Sequence, residues 1–252
     1  MIVFPMAGES KRFKDKGYTK PKYQLPLFGE TVFHWAVLGF ARYFDNGKFL
    51  FVCRQDHVTT DFVSAQCRAL GISDFRTVEL KHTTKGQAET VSFGLDALHD
   101  EPTDGLTIFN VDTFRSRFEY PATTGMPSAA GFLETFIGEG DNWSFVEPGC
   151  EDTVKRTAEK DPISTHCCTG LYHFSTIADF RLALEMEQMK PDSELKNGEI
   201  YVAPLYNNLI SRGRDIRFTT IPRDDVIFCG VPAEYEFLQD LGGTSPWDRQ
   251  RG

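Results

Sequence analysis

Along the first half of the chain, apolar positions fall in short blocks that switch between two periods. Met1–Met6 is an unbroken apolar run stopped by Ala7-Gly8, which predicts a strand buried on both faces. Glu30–Phe44 spaces Val32, Ala36, Val37, Phe40 and Phe44 as one helical face. Lys48–Cys53 reads as a short strand. Asp56 is a candidate N-cap for a helix that runs to Leu70 and ends at Gly71. Phe75–Leu80 alternates as a strand, Gly86–Leu98 returns to the helical period, and Leu106–Val111 is a further buried strand. Strand and helix in alternation predict an α/β fold with a parallel sheet covered by helices. Ligands are then expected at the C-terminal ends of the strands.

The second half is less regular. Asn142–Glu147, Thr153–Ala158 and Thr169–Phe174 read as strands that extend or cover the sheet edge in antiparallel fashion. Ser175–Met189 and Ala203–Arg212 read as helices, Ile216–Ile221 and Val226–Cys229 as strands, and Pro232–Leu241 as a closing helix. Loop signals from Gly242 onward predict a flexible tail over 242–252. With 252 residues, 40% of them hydrophobic, the chain is expected to form one domain over 1–241. No apolar run reaches the length of a membrane span, no signal peptide is legible, and the six cysteines lack metal or disulfide spacing. The expectation is a cytoplasmic protein with reduced thiols. A pI near 5.2 argues against nucleic-acid binding.

Charge changes the picture at one place. Between Glu9 and Lys22 stand Lys11, Arg12, Lys14, Lys16, Lys20 and Lys22 against two acidic residues, in a chain of net charge −9. A local basic loop on an acidic protein suggests a polyphosphate ligand, although a solvated surface loop has the same composition. Ala7, Gly8, Glu9 and Ser10 follow the first strand, so their backbone N–H groups and Arg12 fall where a triphosphate could be cradled. Pro21 fixes the approach of Lys22, a compact charge suited to phosphates. Asp112 lies at the end of the Leu106–Val111 strand, well placed to hold Mg²⁺; a turn cap is the plainer reading. Asp224 and Asp225 precede another strand and supply either a second metal carboxylate or a turn cap. Lys85, Gly86 and Gln87 lead into a helix, where Gly86 would admit a flat ligand and Gln87 a base edge. Glu159-Lys160 and Thr169-Gly170 could grip a sugar hydroxyl and a phosphate. The histidines show no metal-ligand spacing and no Ser-His-Asp pattern stands out.

Taken together these residues resemble the sugar-phosphate nucleotidylyltransferases. Ala7-Gly-Glu-Ser-Lys-Arg12 is similar to that family's Ala-Gly-x-Gly-(Ser/Thr)-Arg loop, also found in the methylerythritol-phosphate cytidylyltransferases. Pro21-Lys-Tyr-Gln-Leu-Pro-Leu-Phe-Gly29 resembles Pro-Lys-x-(Leu/Tyr)-Leu-Pro-(Val/Ile)-x-Gly. Asp112 matches the metal Asp, Glu159-Lys160 the sugar-phosphate grip, Thr169-Gly-Leu-Tyr-His-Phe174 the strand beside it, Glu199–Tyr206 the Glu-Ile-Thr-Asp segment, and Gly230–Tyr235 the closing Gly-Thr-Pro-Glu-Asp-Tyr. Two positions depart: Ser10 stands for the second glycine, and Phe228 for the Asp two residues before the closing Gly. In the cytidylyltransferase pattern the Asp lies seven residues before the Pro, which points to Asp225.

The resemblance implies a three-layer, Rossmann-like nucleotidyltransferase (GT-A-like) fold with a mixed, mostly parallel sheet and an antiparallel extension. An NTP-binding half would cover about 1–115 and an acceptor-binding half about 116–241. It implies transfer of a nucleotidyl group from an NTP to a phosphorylated acceptor, most simply a sugar 1-phosphate. In that scheme Arg12 and Lys22 are catalytic and Mg²⁺ rests on Asp112 and Asp225. Ala7, Gly8, Glu9, Ser10, Lys85, Gly86 and Gln87 bind the nucleotide, and Glu159, Lys160, Thr169 and Gly170 the acceptor. Partners would be these two substrates and a second copy of the chain, with no nucleic acid or membrane. The base stays open with a lean to CTP, and surface-polysaccharide supply is the pathway suggested. A metal-dependent glycosyltransferase of the related fold, for which Asn110-Val-Asp112 is one residue short of Asp-x-Asp, and a non-catalytic nucleotide-binding homologue are the alternatives.

Overall fold

The computed structural model describes residues 1–55, 59–98, 105–122 and 128–247. In chain order its elements are β1 (Ile2–Pro5), α1 (Lys11–Asp15), β2 (Pro26–Leu27), β3 (Glu30–Thr31), α2 (Val32–Leu38), β4 (Lys48–Arg54), α3 (Thr59–Leu70), β5 (Asp74–Leu80), α4 (Gln87–Asp96), β6 (Leu106–Phe109) and β7 (Thr113–Arg115). There follow β8 (Gly131–Ile137), β9 (Ser144–Pro148), β10 (Val154–Glu159), β11 (His166–Phe174), α5 (Ile177–Gln188), α6 (Leu205–Ile210), β12 (Ile216–Thr220), β13 (Val226–Phe228) and α7 (Pro232–Asp240).

Among the described residues nine strands form one sheet, with β6, β1, β4 and β5 adjacent and parallel. Strand β11 continues it in antiparallel sense, pairing β6 through Leu171–Phe174 and β9 at Cys167 on one edge, and β8 on the other. β10 closes one end beyond β9, and β12 lies parallel to β8. The fold is therefore the mixed, mostly parallel α/β sheet with an antiparallel extension.

Period-two alternation on the parallel strands divides the core in two. Ile2, Phe4, Phe49, Phe51 and Phe109 face a layer built by α2, α3 and α7, rich in edge-packed rings. Val3, Leu50, Val52, Leu106 and Ile108 face α4, α5 and α6. A strand of the parallel block is buried on both sides, which is why Met1–Met6 is apolar throughout and the one polar residue of Leu106–Phe109, Thr107, is buried with its hydroxyl bonded to Tyr120 and His173.

The structure differs from the sequence pattern in several places. The apolar face over Glu30–Phe44 is buried as expected, but α2 stops at Leu38 and Ala41–Tyr43 forms a separate 3₁₀ turn. At Gly39, the C-cap of α2, the backbone of β7 comes so near that a Cβ would lie 2.5 Å from the Arg115 carbonyl, so the approach requires glycine. Strands β7 and β8 were not anticipated; β8 hides a charged residue, Glu134, inside an apolar run. Asp56, the candidate cap of α3, lies outside the described residues. Over 242–247 the chain does not leave the body: Pro246 is buried and Trp247 packs on the aromatic layer. No helix among the described residues is long and apolar enough to cross a membrane.

Candidate functional site

The parallel strands β1, β4 and β6 deliver their C-terminal ends to one side of the sheet. There they border a cavity of about 930 Å³ whose far wall is made by β9, β10 and β11.

Ala7–Ser10 follows β1 directly and lines this cavity together with Arg12 on α1. Ser10 holds φ 52°, ψ 34°, the left-handed conformation that glycine adopts most readily and that costs an L-residue about 1 kcal/mol or more. Its side chain is used: the Lys22 N–H donates to Ser10 Oγ at 3.4 Å. Lys22 opens a 3₁₀ turn after the buried Pro21, and the next residue, Tyr23, is fully buried with its hydroxyl 3.0 Å from Thr59 Oγ1. The lysine is thus fixed at its backbone while its ammonium reaches the cavity, where it pairs with Asp112 Oδ2.

Asp112 sits in the turn between β6 and β7, and its carbonyl accepts from Cys229 N–H at 2.8 Å. Space beside its carboxylate is kept open by Gly230, where a Cβ would fall 3.0 Å from Asp112 Oδ2 and 3.8 Å from Glu234 Oε2. Glu234 accepts from the Gly230 and Val231 N–H groups at 2.8 and 3.2 Å, and burial pushes its carboxyl above the usual range. Among the described residues no group of three or more His, Cys, Asp or Glu converges on one point. The donor set fits Mg²⁺ in the manner of an ion that rests on one carboxylate and takes its other oxygens from substrate phosphates and water.

Asp225 is not brought to this point. β13 pairs β7 antiparallel, with Phe228 opposite Thr113 and Val226 opposite Arg115. Asp112 precedes β7 and Asp225 precedes β13, so the register sends them to opposite ends of the ladder, roughly four steps of about 3.4 Å apart. Asp225 does not line the cavity. Its carboxylate accepts from Ser116 Oγ at 3.1 Å and lies 3.7 Å from Arg115 Nη1. Arg115 in turn donates to both oxygens of the buried Glu134 at 3.1 Å. Burial pushes Glu134 upward, and the guanidinium opposes that.

On the opposite wall, Glu159 ends β10 and Lys160 follows it in a left-handed conformation, φ 51°. Lys160 Nζ donates to Tyr201 OH at 2.7 Å and lies over that ring. Glu159 accepts from Ser144 Oγ, which also receives the Tyr172 hydroxyl at 3.2 Å. Burial is the largest influence on Glu159 and raises it, against the Ser144 bond and Lys160. Thr169 and Gly170 line the cavity at the irregular stretch of β11. The Thr169 hydroxyl is committed, donating to Glu134 Oε1 at 3.1 Å and accepting from Leu171 N–H at 3.3 Å.

The third predicted cluster divides. Gly86 and Gln87 line the cavity; Lys85 does not, and its ammonium pairs with exposed Asp192 at 3.2 Å. The missing side chain of Gly86 makes room for the protein's own backbone, since a Cβ there would lie 2.6 Å from the Ile200 carbonyl. Gln87 Nε2 donates to Asn110 Oδ1. Sequence reasoning missed Arg54, Asn142, Trp143, Ser144, Tyr172, Tyr201 and Glu234 as lining residues. Arg54 was findable, since it directly follows the predicted strand Lys48–Cys53.

No protein-family model matches the sequence, and no curated protein does. Solved structures do. The nucleoside-diphosphate-sugar pyrophosphorylase from Vibrio cholerae RC9 is 45% identical, with TM-score 0.91, over 95% of this chain and all of its own. The inositol-1-phosphate CTP transferase of T. maritima (14% identity, TM-score 0.70, 95% and 94% covered) shares the fold. So does a UDP-glucose pyrophosphorylase complexed with UDP-glucose (15% identity, TM-score 0.70, 95% and 97% covered). With loop, paired lysine and strand-end aspartate on one cavity, and with this degree of identity over the full length, the chain belongs to the nucleoside-diphosphate-sugar pyrophosphorylases of the sugar-phosphate nucleotidyltransferase family.

Proposed function

We propose that the protein joins an NTP to a sugar 1-phosphate, giving a nucleoside-diphosphate sugar and pyrophosphate. The observation that carries this reading is the pairing of Lys22 with Asp112 across one cavity from Lys160. A cation for the nucleotide phosphates, a carboxylate for a metal and a cation for the acceptor phosphate face the same space.

An oxygen of the acceptor phosphate attacks the α-phosphorus in line, the bond from that phosphorus to the β-bridging oxygen breaks, and pyrophosphate leaves with the electron pair. Lys160 orients the acceptor phosphate, while Glu159 and Ser144 take hydroxyls of its body. Arg12, Lys22 and the Ala7–Ser10 backbone hold the triphosphate, and Lys22 balances charge on the α-phosphate as it develops. Mg²⁺ held on Asp112 would supply charge neutralisation between the two phosphates. Gln87, held by Asn110, reads the base edge. Asp225 is assigned here to fixing Arg115. The first loop leans the base toward CTP, and the product suits surface-polysaccharide assembly in the cytoplasm.

An NTP-by-acceptor matrix read by pyrophosphate release tests the assignment. Turnover is expected with at least one sugar 1-phosphate, and Asp112→Asn should abolish that Mg²⁺-dependent turnover; an unchanged metal dependence would count against Asp112 as the metal carboxylate. Consumption of a nucleotide sugar without pyrophosphate chemistry would instead mark a glycosyltransferase, and NTP binding without product a non-catalytic homologue.

A further inference from the structure

The cavity wall mixes charged, polar and apolar groups, and at one place two apolar rings stand side by side. Trp143 and Phe228 both face the space, with ring centroids 4.4 Å apart and planes at 48°. Phe228 ends β13 opposite Thr113, one residue from Asp112. Trp143 precedes β9, and its carbonyl accepts the Lys160 N–H at 2.8 Å. The pair therefore stands between the carboxylate where transfer is proposed and the lysine proposed to hold the acceptor.

Both rings are locked from behind. Phe136 packs on each at 5.3 Å, and the Arg223 guanidinium lies 5.2 Å over Phe136 and over Phe228. The Trp143 indole N–H donates to the Glu139 carbonyl at 3.1 Å, so it is spent outside the cavity and only the ring remains to offer. A rigid aromatic face costs little to order on binding, and its negative surface attracts polarised C–H groups. Next to it, Glu159, Ser144 and Lys160 supply polar partners. A ligand that fits has one flat C–H face and a rim of hydroxyls, which describes a pyranose.

Resting on the nucleotidyl-transfer reading above, we propose that Trp143 and Phe228 form the platform on which the pyranose ring of the acceptor lies, and that they set the preference for hexopyranose 1-phosphates over acceptors without a ring. The platform touches the part of the acceptor that does not react, so its loss is read in acceptor KM more than in kcat.

The test uses the full chain, Trp143→Leu and Phe228→Leu, which keep apolar cover over Phe136. α-D-Glucose 1-phosphate and α-D-mannose 1-phosphate are the ring acceptors; glycerol 3-phosphate and phosphoethanolamine are the ring-free ones. Each variant should raise KM for the sugar phosphates about tenfold and leave kcat, the NTP KM and any ring-free turnover within about twofold. An unchanged acceptor KM, a rise confined to NTP, or a wild-type preference for ring-free acceptors overturns the platform while leaving nucleotidyl transfer intact. Absence of pyrophosphate from every pair sinks the transfer reading instead. The platform is then decided by fluorescence of Trp35→Phe/Trp247→Phe, which leaves Trp143 as the single remaining tryptophan of three. Quenching or a blue shift on adding glucose 1-phosphate supports it, and no change overturns it.

Discussion

The two ends of the β7–β13 ladder show how one short pairing gives two aspartates different surroundings. At one end Asp112 faces an open cavity, with Lys22 on its carboxylate and the space left by Gly230 beside it. At the other, Asp225 closes a compact network with Ser116, Arg115 and the buried Glu134. Both residues directly precede a strand of the same pair. Register alone decides that the first is available to a ligand and the second holds a guanidinium in place. A carboxylate's role is read from what already occupies it and from whether space remains beside it.

The buried end should show the largest effect on stability. Arg115→Leu leaves Glu134 without its cation in a site where it is almost wholly enclosed, and should cost roughly 3–5 kcal/mol of unfolding free energy in denaturant titration. Arg115→Leu with Glu134→Leu removes both charges and should recover most of that loss. A double variant no better than the single one would mean that the network does more than compensate charge.

At the open end the prediction inverts. Lys22→Ala should lower kcat about 10²- to 10³-fold, the scale of removing one preorganised electrostatic contact in phosphate or oxyanion chemistry. Its unfolding free energy should move by no more than about 1 kcal/mol, since the lysine is partly exposed and its pairing screened. Near-normal pyrophosphate release by this variant would remove the catalytic assignment and with it the contrast between the two ends.

How much of this was legible follows from distance along the chain. The parallel block, and the position of the first loop, Lys22 and Asp112 at the cavity, could be read because local features announce them: an apolar run, a small-residue turn, a Pro-Lys step, an acid at a strand end. Glu159 and Lys160 were legible only through a resemblance, since nothing local separates them from surface residues. The fate of Asp225 was not legible, because it rests on the pairing of strands that lie more than a hundred residues apart and on a buried Arg–Glu contact that no spacing rule reveals. Ser10 shows the reverse case. It looked like a broken glycine position, yet the loop places it at φ 52° and uses its hydroxyl to tie down the Lys22 step.

Asp225→Asn is the most direct challenge to the contrast and carries a smaller effect. Its carboxylate is partly exposed, so losing the charge beside Arg115 should cost about 1 kcal/mol or less. The Mg²⁺ concentration giving half-maximal turnover should stay where it is. A tenfold rise in that concentration would make Asp225 a metal ligand and require the ladder to move during turnover.

The smallest effect separates the two buried glutamates, and it is one of pH. Burial raises both Glu134 and Glu159, so each loses its charge at a higher pH than an ordinary carboxyl as pH falls. For a group whose folded value is raised, the stabilising contribution is fully present below the unfolded pKa. It is lost as pH rises through the folded one, so both residues should weaken the fold slightly toward neutral pH. Only Glu159 lines the cavity. If its anion takes acceptor hydroxyls, acceptor KM should rise a few-fold as pH falls through its pKa, while the NTP KM stays flat. Glu159→Gln should abolish that pH dependence of KM and also flatten the stability trend. Glu134 is sealed under Arg115 and Thr169, so its titration should register in stability and not in KM. A KM profile that survives Glu159→Gln would shift the titrating group elsewhere in the cavity, and Glu234, raised by burial and near Asp112, is the residue to substitute next.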